Sequence, residues 1–220
     1  MIEFDQVSKR YHGGHEALKN VTFRLDQGEM AFVTGHSGAG KSTMLRLMMA
    51  IEQPTAGQVR VNHRIINRMP RRQVPFFRRE LGIVHQNHEL LPEKTVFENI
   101  ALPLQIAGMS PRDIDNRVRA ALDKVGLLDK IKYYPVMLSG GEQQRIGIAR
   151  AVVNKPKIIL ADEPTGNLDP ALSRDIMDLF RQFNRVGTTV LVVSHDLGLV
   201  ARMPYRVLTL KQGQLKRVPV

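Results

Sequence analysis

The stretch Gly35–Thr43, "GHSGAGKST", gathers three glycines, three hydroxyl side chains and one lysine. Glycine leaves room for backbone N–H groups to curl around an anion, and a helix starting there adds the partial positive charge of its N-terminus. The stretch matches Gly-x-x-x-x-Gly-Lys-Ser, follows the short apolar run "MAFVT" and leads into a helical pattern, the context of a phosphate-binding loop. On that reading Gly35, His36, Ser37, Gly38, Ala39, Gly40 and Thr43 surround phosphate oxygens. Lys41 reaches the β- and γ-phosphates and Ser42 ligates Mg²⁺. A glycine-rich turn capped by serine is the plainer alternative, and the strand and helix flanks weigh against it.

A phosphate loop needs partners for metal and water, and "KIILADEP" supplies two carboxylates. The apolar run reads as a buried strand that carries Asp162 and Glu163 to its C-terminal end, the edge where parallel sheets bind ligands. Successive strand residues face opposite ways, so the two carboxylates share one site only if the chain bends there, which Pro164 suggests. Asp162 then holds Mg²⁺ through water, and Glu163 orients or deprotonates an attacking water. A third stretch, "LSGGEQQR" (Leu138–Arg145), sets Ser139, Gly140 and Gly141 before a helix. That is a second anion-binding helix start, although one nucleotide needs only one cradle.

These residues need a scaffold. "MIEFDQVSKRY" and "ALKNVTFRLDQGE" alternate as half-buried strands, the second ending in a turn at residues 26–28. "STMLRLMMAIEQP" reads as a helix running up to Pro54, and "QVRVNHRII" as one strand. "LGIVHQ", "KIILAD" and "TTVLVVSH" read as buried strands separated by helices, the sign of a parallel sheet with helices on its faces. From about residue 87 to residue 137 the pattern turns helical, with a start at Ser110–Pro111 and apolar positions Ile114, Val118, Ala121, Leu122 and Val125. "YRVLTLKQGQLKRV" reads as a hairpin turning at Gln212–Gly213.

The chain has 220 residues, 43% of them hydrophobic, enough for a substantial core. It has no cysteine, which excludes disulfides and thiolate metal sites. The N-terminus reads as a strand and lacks the apolar core of a signal peptide. No apolar run reaches the roughly 18 residues of a membrane span. The net charge of +11 admits three partners: nucleic acid, an anionic membrane surface, or an acidic protein face.

"LSGGEQQR", standing between the phosphate loop and "ILADEP", resembles the signature motif of the ABC-type ATPases, and the resemblance covers essentially the whole chain. It implies an α/β phosphate-loop NTPase fold with a mostly parallel central sheet, an N-terminal antiparallel β subdomain and a helical insert. The whole chain forms one ATPase domain, with the insert at about residues 87–137. It further implies an ATPase that uses ATP and Mg²⁺ and closes as a homodimer on ATP binding. Ser139, Gly140, Gly141 and Glu142 of one subunit then meet the nucleotide of the other. "GNLD" matches the loop that crosses to the partner subunit, so Asp169 also joins the nucleotide contacts, with Asn167 where small residues are common.

By the same resemblance, Tyr11 stacks on adenine and Gln86 senses Mg²⁺ and the attacking water. His85 replaces the aromatic residue often found before that glutamine. His195 contacts the γ-phosphate. Lys41, Gln86, Glu163 and His195 are thus the catalytic set, and Ser42, Gln86 and Asp162 the metal set. Taken together with "GLLDK" and "IARAVVNKP", the chain's overall likeness is greatest to the cell-division branch of the family. "EPTGNLD" is shared with its neighbours, the ATPases of lipoprotein-release and macrolide-efflux complexes, and marks the group only. The implied partner is an integral membrane protein, with the ATPase peripheral on the cytoplasmic face of the bacterial inner (cell) membrane. That partner is expected to dock at about residues 87–104, where Leu90, Leu91, Val96, Phe97 and Ile100 look exposed, with ordinary core packing between the insert and the sheet the alternative for some of them. Arg68, Arg71, Arg72, Arg78 and Arg79 would flank it, facing anionic lipid or acidic residues. The rival from another class is an ATP-gated nucleic-acid-binding protein. With 5% aromatic residues no stacking platform for single strands is visible, and no nucleic acid is expected. A scaffold with a degenerate site is a third reading, and the intact Lys41, Asp162 and Glu163 argue against it.

Overall fold

The computed structural model describes residues 1–166 and 168–216. Its backbone is organised by two sheets. The first is antiparallel and contains β1 (Ile2–Arg10), β2 (Glu16–Leu25), β4 (Ala56–Val61) and β5 (Arg64–Ile65) in the order β2-β1-β4-β5. The second contains β3 (Met30–Thr34), β6 (Leu81–Val84), β7 (Ile158–Asp162), β8 (Thr189–Val193), β9 (Arg206–Lys211) and β10 (Gln214–Lys216) in the order β10-β9-β3-β8-β7-β6. All its pairings are parallel except the β9–β10 hairpin at Gln212–Gly213. Asn167 of "GNLD" and residues 217 and 218 of the expected C-terminal hairpin lie outside the described residues.

The buried runs of the second sheet split by alternation. Met30 and Phe32, Ile159 and Ala161, and Val190 and Val192 face one core. Ala31 and Val33, Ile158 and Leu160, and Leu191 and Val193 face the other. The first core is closed by α3 (Val96–Ile106), α4 (Pro111–Lys124), α5 (Gly140–Val152) and α6 (Pro170–Arg185), with the short α7 (Leu197–Ala201). The second is closed by α1 (Lys41–Met48), the short α2 (Val74–Arg78) and the antiparallel sheet, with Phe4 stacked on Phe23 at 4.8 Å between ring centroids. A sheet covered on both faces carries the near-continuous apolar strands that its sequence shows.

Three local expectations change. The helix after the phosphate loop ends at Met48, well before Pro54. Ala50 takes the left-handed conformation (φ 54), Ile51 N donates to Arg46 O and Ala50 N to Leu47 O, a Schellman ending built without the glycine that usually marks it. The Arg78 guanidinium then donates to Met49 O (2.9 Å) and Ala50 O (3.1 Å), so this arginine caps a helix as well as adding charge. "QVRVNHRII" is a hairpin. Asn62 and His63 (φ 48 and 63) form its two-residue turn between β4 and β5, again without glycine. Finally, Val96 and Ile100 are fully buried, and Leu90 and Phe97 pack partly buried against the helical core. The apolar spacing that looked exposed is the inner stripe of α3.

The segment before α3 is pinned by Asn99, which is fully buried. Its amide nitrogen donates to Leu91 O, Lys94 O and Thr95 O, and its oxygen accepts from Leu91 N at 2.8 Å. Replacing it strands several buried backbone groups. Asn99→Leu is expected to lower stability by about 1–3 kcal/mol, read from the midpoint of urea unfolding at unchanged slope.

Candidate functional site

Parallel strands all end on one edge, and four neighbours in this sheet deliver the candidate residues there. β3 runs into the loop from Gly35, β6 into Gln86, β7 into Asp162 and Glu163, and β8 into His195. Between them lies an open cleft of about 950 Å³. The structure brings together Tyr11, Gly35, His36, Ser37, Gly38, Gly40, Lys41, Ser42, Thr43, Gln86, Glu163 and His195 on its walls. Ala39 sits behind the loop, buried, and Asp162 lies half-buried beside Glu163.

The loop fits phosphate on its own geometry. Gly35 (φ 148) and Gly40 (φ 109) pass so close to neighbouring strands that a Cβ would come within 2.3 Å of Leu210 O and 2.4 Å of Ala17 O. Any side chain at either place would force the cradle open. Gly40 in its left-handed conformation turns the chain into α1, whose first turn carries no acidic residue to compete for its free N–H groups. Lys41 is only 8% exposed, and its ammonium donates to Gly35 O (2.7 Å) and His36 O (3.1 Å). The charge is thereby held at the mouth of its own loop. Tyr11 stands beside it with its hydroxyl 3.3 Å from Thr43 Oγ1 and Lys9 Nζ 5.0 Å from its ring centre.

The bend that separates the two carboxylates is at Glu163 itself, one residue before the expected Pro164. Glu163 has φ 46, a conformation costly for a residue with a side chain, and it is held there by Glu163 N donating to Val193 O (2.9 Å) and Gly166 N donating to Glu163 O (3.0 Å). Its carboxylate meets His195 Nδ1 at 2.7 Å. That pair joins residues 32 positions apart, a contact no local pattern announces. Gln86 lies against Gly166, where an added Cβ would be 3.6 Å from Nε2. The pKa of Asp162 is pushed up, chiefly by burial and then by Glu163, with His85, Lys41 and Arg46 pulling the other way. No cluster of three or more His, Asp or Glu that could hold a metal exists among the described residues. The donor set of Ser42, Gln86 and Asp162 suits Mg²⁺ only when phosphate oxygens complete it, the usual arrangement for that ion.

Ser139, Gly140, Gly141, Glu142 and Asp169 do not line this cleft. Ser139 caps α5, accepting from Glu142 N, while the Glu142 carboxylate accepts from Ser139 N (2.8 Å) and Oγ (2.9 Å). These bonds hold the Glu142 pKa down. Gly140 is exposed with open space around it, whereas a Cβ on Gly141 would strike Leu172. Asp169 caps α6 by accepting from Ala171 N and Leu172 N, which holds its pKa down in the same way. Both acids therefore serve helix ends in this chain.

Sequence reasoning missed two things besides the Glu163–His195 pair. His15, Ala17, Thr209, Leu210 and Lys211 also line the cleft, brought there by β2 and β9 with no motif of their own. The segment after Gln86 is also clasped by α5. Arg150 donates to His88 O and Glu89 O at 2.7 Å each, and His88 Nδ1 meets Gln144 Oε1. His88 and Glu89 both have positive φ (58 and 47), so the clasp holds a strained turn. Burial lowers the Arg150 pKa, with Glu89 opposing.

Comparison with known proteins gives a consistent result. The family model described as ABC transporter matches residues 18–166. Over 98% of the chain and 97% of the relative, the sequence is 60% identical to the cell division ATP-binding protein FtsE of Escherichia coli K12. The protein of that name from Bacillus subtilis is 43% identical over 99% of the chain and 95% of its own length. Among solved structures, the dimeric post-hydrolysis state of the ATP-binding cassette MJ0796 bound to ADP and Pi superposes with a TM-score of 0.90. It has 38% identity, covering 99% of this chain and 97% of the other.

The raised Asp162 pKa has a stability consequence. A carboxyl whose folded pKa lies above its unfolded value, ordinarily 3.8, weakens the fold once it ionises. Asp162→Asn is therefore expected to melt at a higher temperature than the wild type at pH 7 without nucleotide. The difference should close as pH falls toward 4, read by thermal scans across that range.

Proposed function

Because this chain belongs to the ABC transporter family and is an ATP-binding, ATP-hydrolysing subunit, we propose that it serves bacterial cell division as the motor of an FtsX-like integral membrane protein. Its identity to proteins named for cell division, sustained over almost their full length, supports this branch over the lipoprotein-release and efflux neighbours. One observation carries the mechanism. Lys41, Gln86, Glu163 and His195 converge on one cleft, while the signature helix start at Ser139 stands outside it, exposed. A cassette of this kind has one complete cradle and one unused helix N-terminus. Two copies related by a two-fold axis would place each unused end on the other's nucleotide, giving a homodimer with two equivalent sites.

In this reading the loop N–H groups and Lys41 hold the phosphates, and Tyr11 stacks on the base. Lys41 neutralises charge that develops as the γ-phosphoryl leaves. Glu163 takes a proton from the attacking water, and His195, already bonded to that carboxylate, keeps it aimed. Ser42, Asp162 and Gln86 would hold Mg²⁺, whose contribution when bound is charge neutralisation across the β- and γ-phosphates. Gln86 is the one residue of the cleft followed directly by the clasped turn and then α3, so it is suited to pass the state of the site to the segment at 87–104. We place the membrane partner there, with about residues 87–137 acting as the helical subdomain. Among the candidate docking residues, Leu90, Leu91 and Phe97 retain partial exposure. Arg68, Arg71 and Arg72 lie exposed nearby in sequence, and Phe76 is exposed with the Arg79 guanidinium 4.9 Å from its ring centre. No helix among the described residues is long and apolar enough to cross a membrane, so attachment to the inner face of the cell membrane falls to the partner and these cations.

Glu163→Gln is expected to lower ATP turnover by about 10²–10⁴-fold, the usual loss when a general base is removed, while nucleotide binding is retained. With ATP the same variant should sediment as a dimer. Lys41→Ala should lose ATP binding itself. A normal hydrolysis rate for purified Glu163→Gln would overturn the assignment of the base. For the docking face, single cysteines at 90, 91 and 97 in this cysteine-free chain are expected to crosslink to the membrane partner. Cysteines placed in the C-terminal β9–β10 hairpin are not. Leu91→Glu should weaken co-purification of the partner without changing ATP affinity.

A further inference from the structure

On the sheet edge opposite the nucleotide site lies a second cleft, of about 730 Å³. One wall is α4. The other is formed by the segments that lead into β7 and β8 together with the end of α6. Its lining includes Ala120 and Ala121 from α4, with Val153, Ile159 and Phe183. Val186, at the rim, is 80% exposed, unusual for a branched aliphatic side chain. The two alanines keep the α4 wall low and leave room for a bulky visitor.

Charge surrounds this apolar floor. Arg117 and Lys124 stand on the α4 wall seven residues apart, two turns and roughly 10 Å along the helix axis. Lys155 and Lys157 stand on the facing wall, on either side of Pro156. None of these four cations takes part in an ion pair among the described residues, although ion pairs occur elsewhere on the surface. No aspartate or glutamate lines the cleft. Four like charges around one apolar trough give it a positive potential, partly screened by water and salt, that favours an anionic visitor.

We propose that this cleft receives an acidic amphipathic helix of a partner protein. A helix about 10–12 Å across fits a trough between two walls, whereas a planar bilayer would meet only the rims. Its apolar stripe would cover Ala120, Phe183 and Val186, with Val153 and Ile159 already buried beneath them, in the helix-in-groove manner. Carboxylates two turns apart would meet Arg117 and Lys124 on one side, and others Lys155 and Lys157 on the facing side. The cleft is reached from the N-terminal ends of β7 and β8, so an occupant does not compete with nucleotide at their C-terminal ends. The proposal stands independently of how the nucleotide cleft works.

The test uses the full chain and a fluorescein-labelled synthetic peptide of about 18 residues, with leucines at i, i+3, i+4 and i+7 and flanking glutamates. Two controls are a scrambled peptide of the same composition and the same helix with lysine for glutamate. The acidic amphipathic peptide is expected to bind with an affinity that falls as salt rises, and neither control to match it. Lys155→Glu combined with Lys157→Glu should weaken it at least about tenfold through lost charge contacts, and Val186→Asp should weaken it without altering any cation. Each variant should retain the wild-type ATPase rate, which shows that it is folded. The proposal is overturned if the scrambled peptide binds equally, if ATP displaces the probe, or if the variants bind like the wild type. It is also overturned if the variants lose binding only to vesicles of anionic lipid while the peptide fails to bind at all.

Discussion

The parallel register of four neighbouring strands is the constraint on which the rest of the site depends. Val33 pairs with Val193, Val193 with Asp162, and Ala161 with Val84. Those pairings bring β3, β8, β7 and β6 to an end at nearly the same height. The phosphate loop, His195, Glu163 and Gln86 then follow within one to three residues of a strand end. A slip of one residue in any pairing would exchange the faces of that strand's buried side chains. It would also displace one member of the set. Because both faces of the sheet are buried under separate cores, such a slip is opposed from both sides.

The cleft edge combines left-handed backbone with charges withdrawn from solvent. Glu163, His88 and Glu89 adopt left-handed backbone angles, each held by hydrogen bonds from neighbouring elements. Lys41 and Arg150 are cations withdrawn from solvent and satisfied by backbone carbonyls. Asp162 is the counterexample, a carboxylate whose charge the fold disfavours. Left-handed residues also occur away from the cleft, as at Gln6, Asn20 and Ala50, but at this edge they coincide with charged groups withdrawn from solvent, the arrangement expected of a preorganised site. The Arg150 clasp extends that organisation outward. It ties the turn after Gln86 to the same helix that begins at Ser139, so the two halves of the proposed machinery share one rigid element.

The signature segment shows how a local motif and its role part company in a single chain. Ser139 and Glu142 close a capping box, and the helix N-terminus they define lies outside the cleft. Among the described residues, no atom beyond its chain neighbours and the helix backbone lies within 4 Å of where a Gly140 Cβ would stand. A bacterial ABC transporter cassette with a TM-score of 0.90 is dimeric, and the two-fold pairing proposed above would give this end a phosphate.

Features that depend on a few consecutive residues were legible from the chain alone. Gly40–Lys41–Ser42 sets a helix start, the short apolar runs "MAFVT" and "TVLVV" set buried strands, Ser110–Pro111 sets the start of α4, and "DE" at a strand end sets two carboxylates side by side. Each follows from backbone sterics or side-chain period over less than about two turns. Where the local mark was absent the reading overran, as at Ala50 and at Asn62–His63, where left-handed residues other than glycine ended a helix and a strand. That Val96 and Ile100 face inward came from packing, since an apolar spacing defines a stripe but not which neighbour covers it. The same holds for the His195–Glu163 bond, the Arg150 clasp and the cationic cleft behind β7 and β8. These join residues far apart in the chain, and such proximity is set by sheet order and packing, quantities with no period along the sequence.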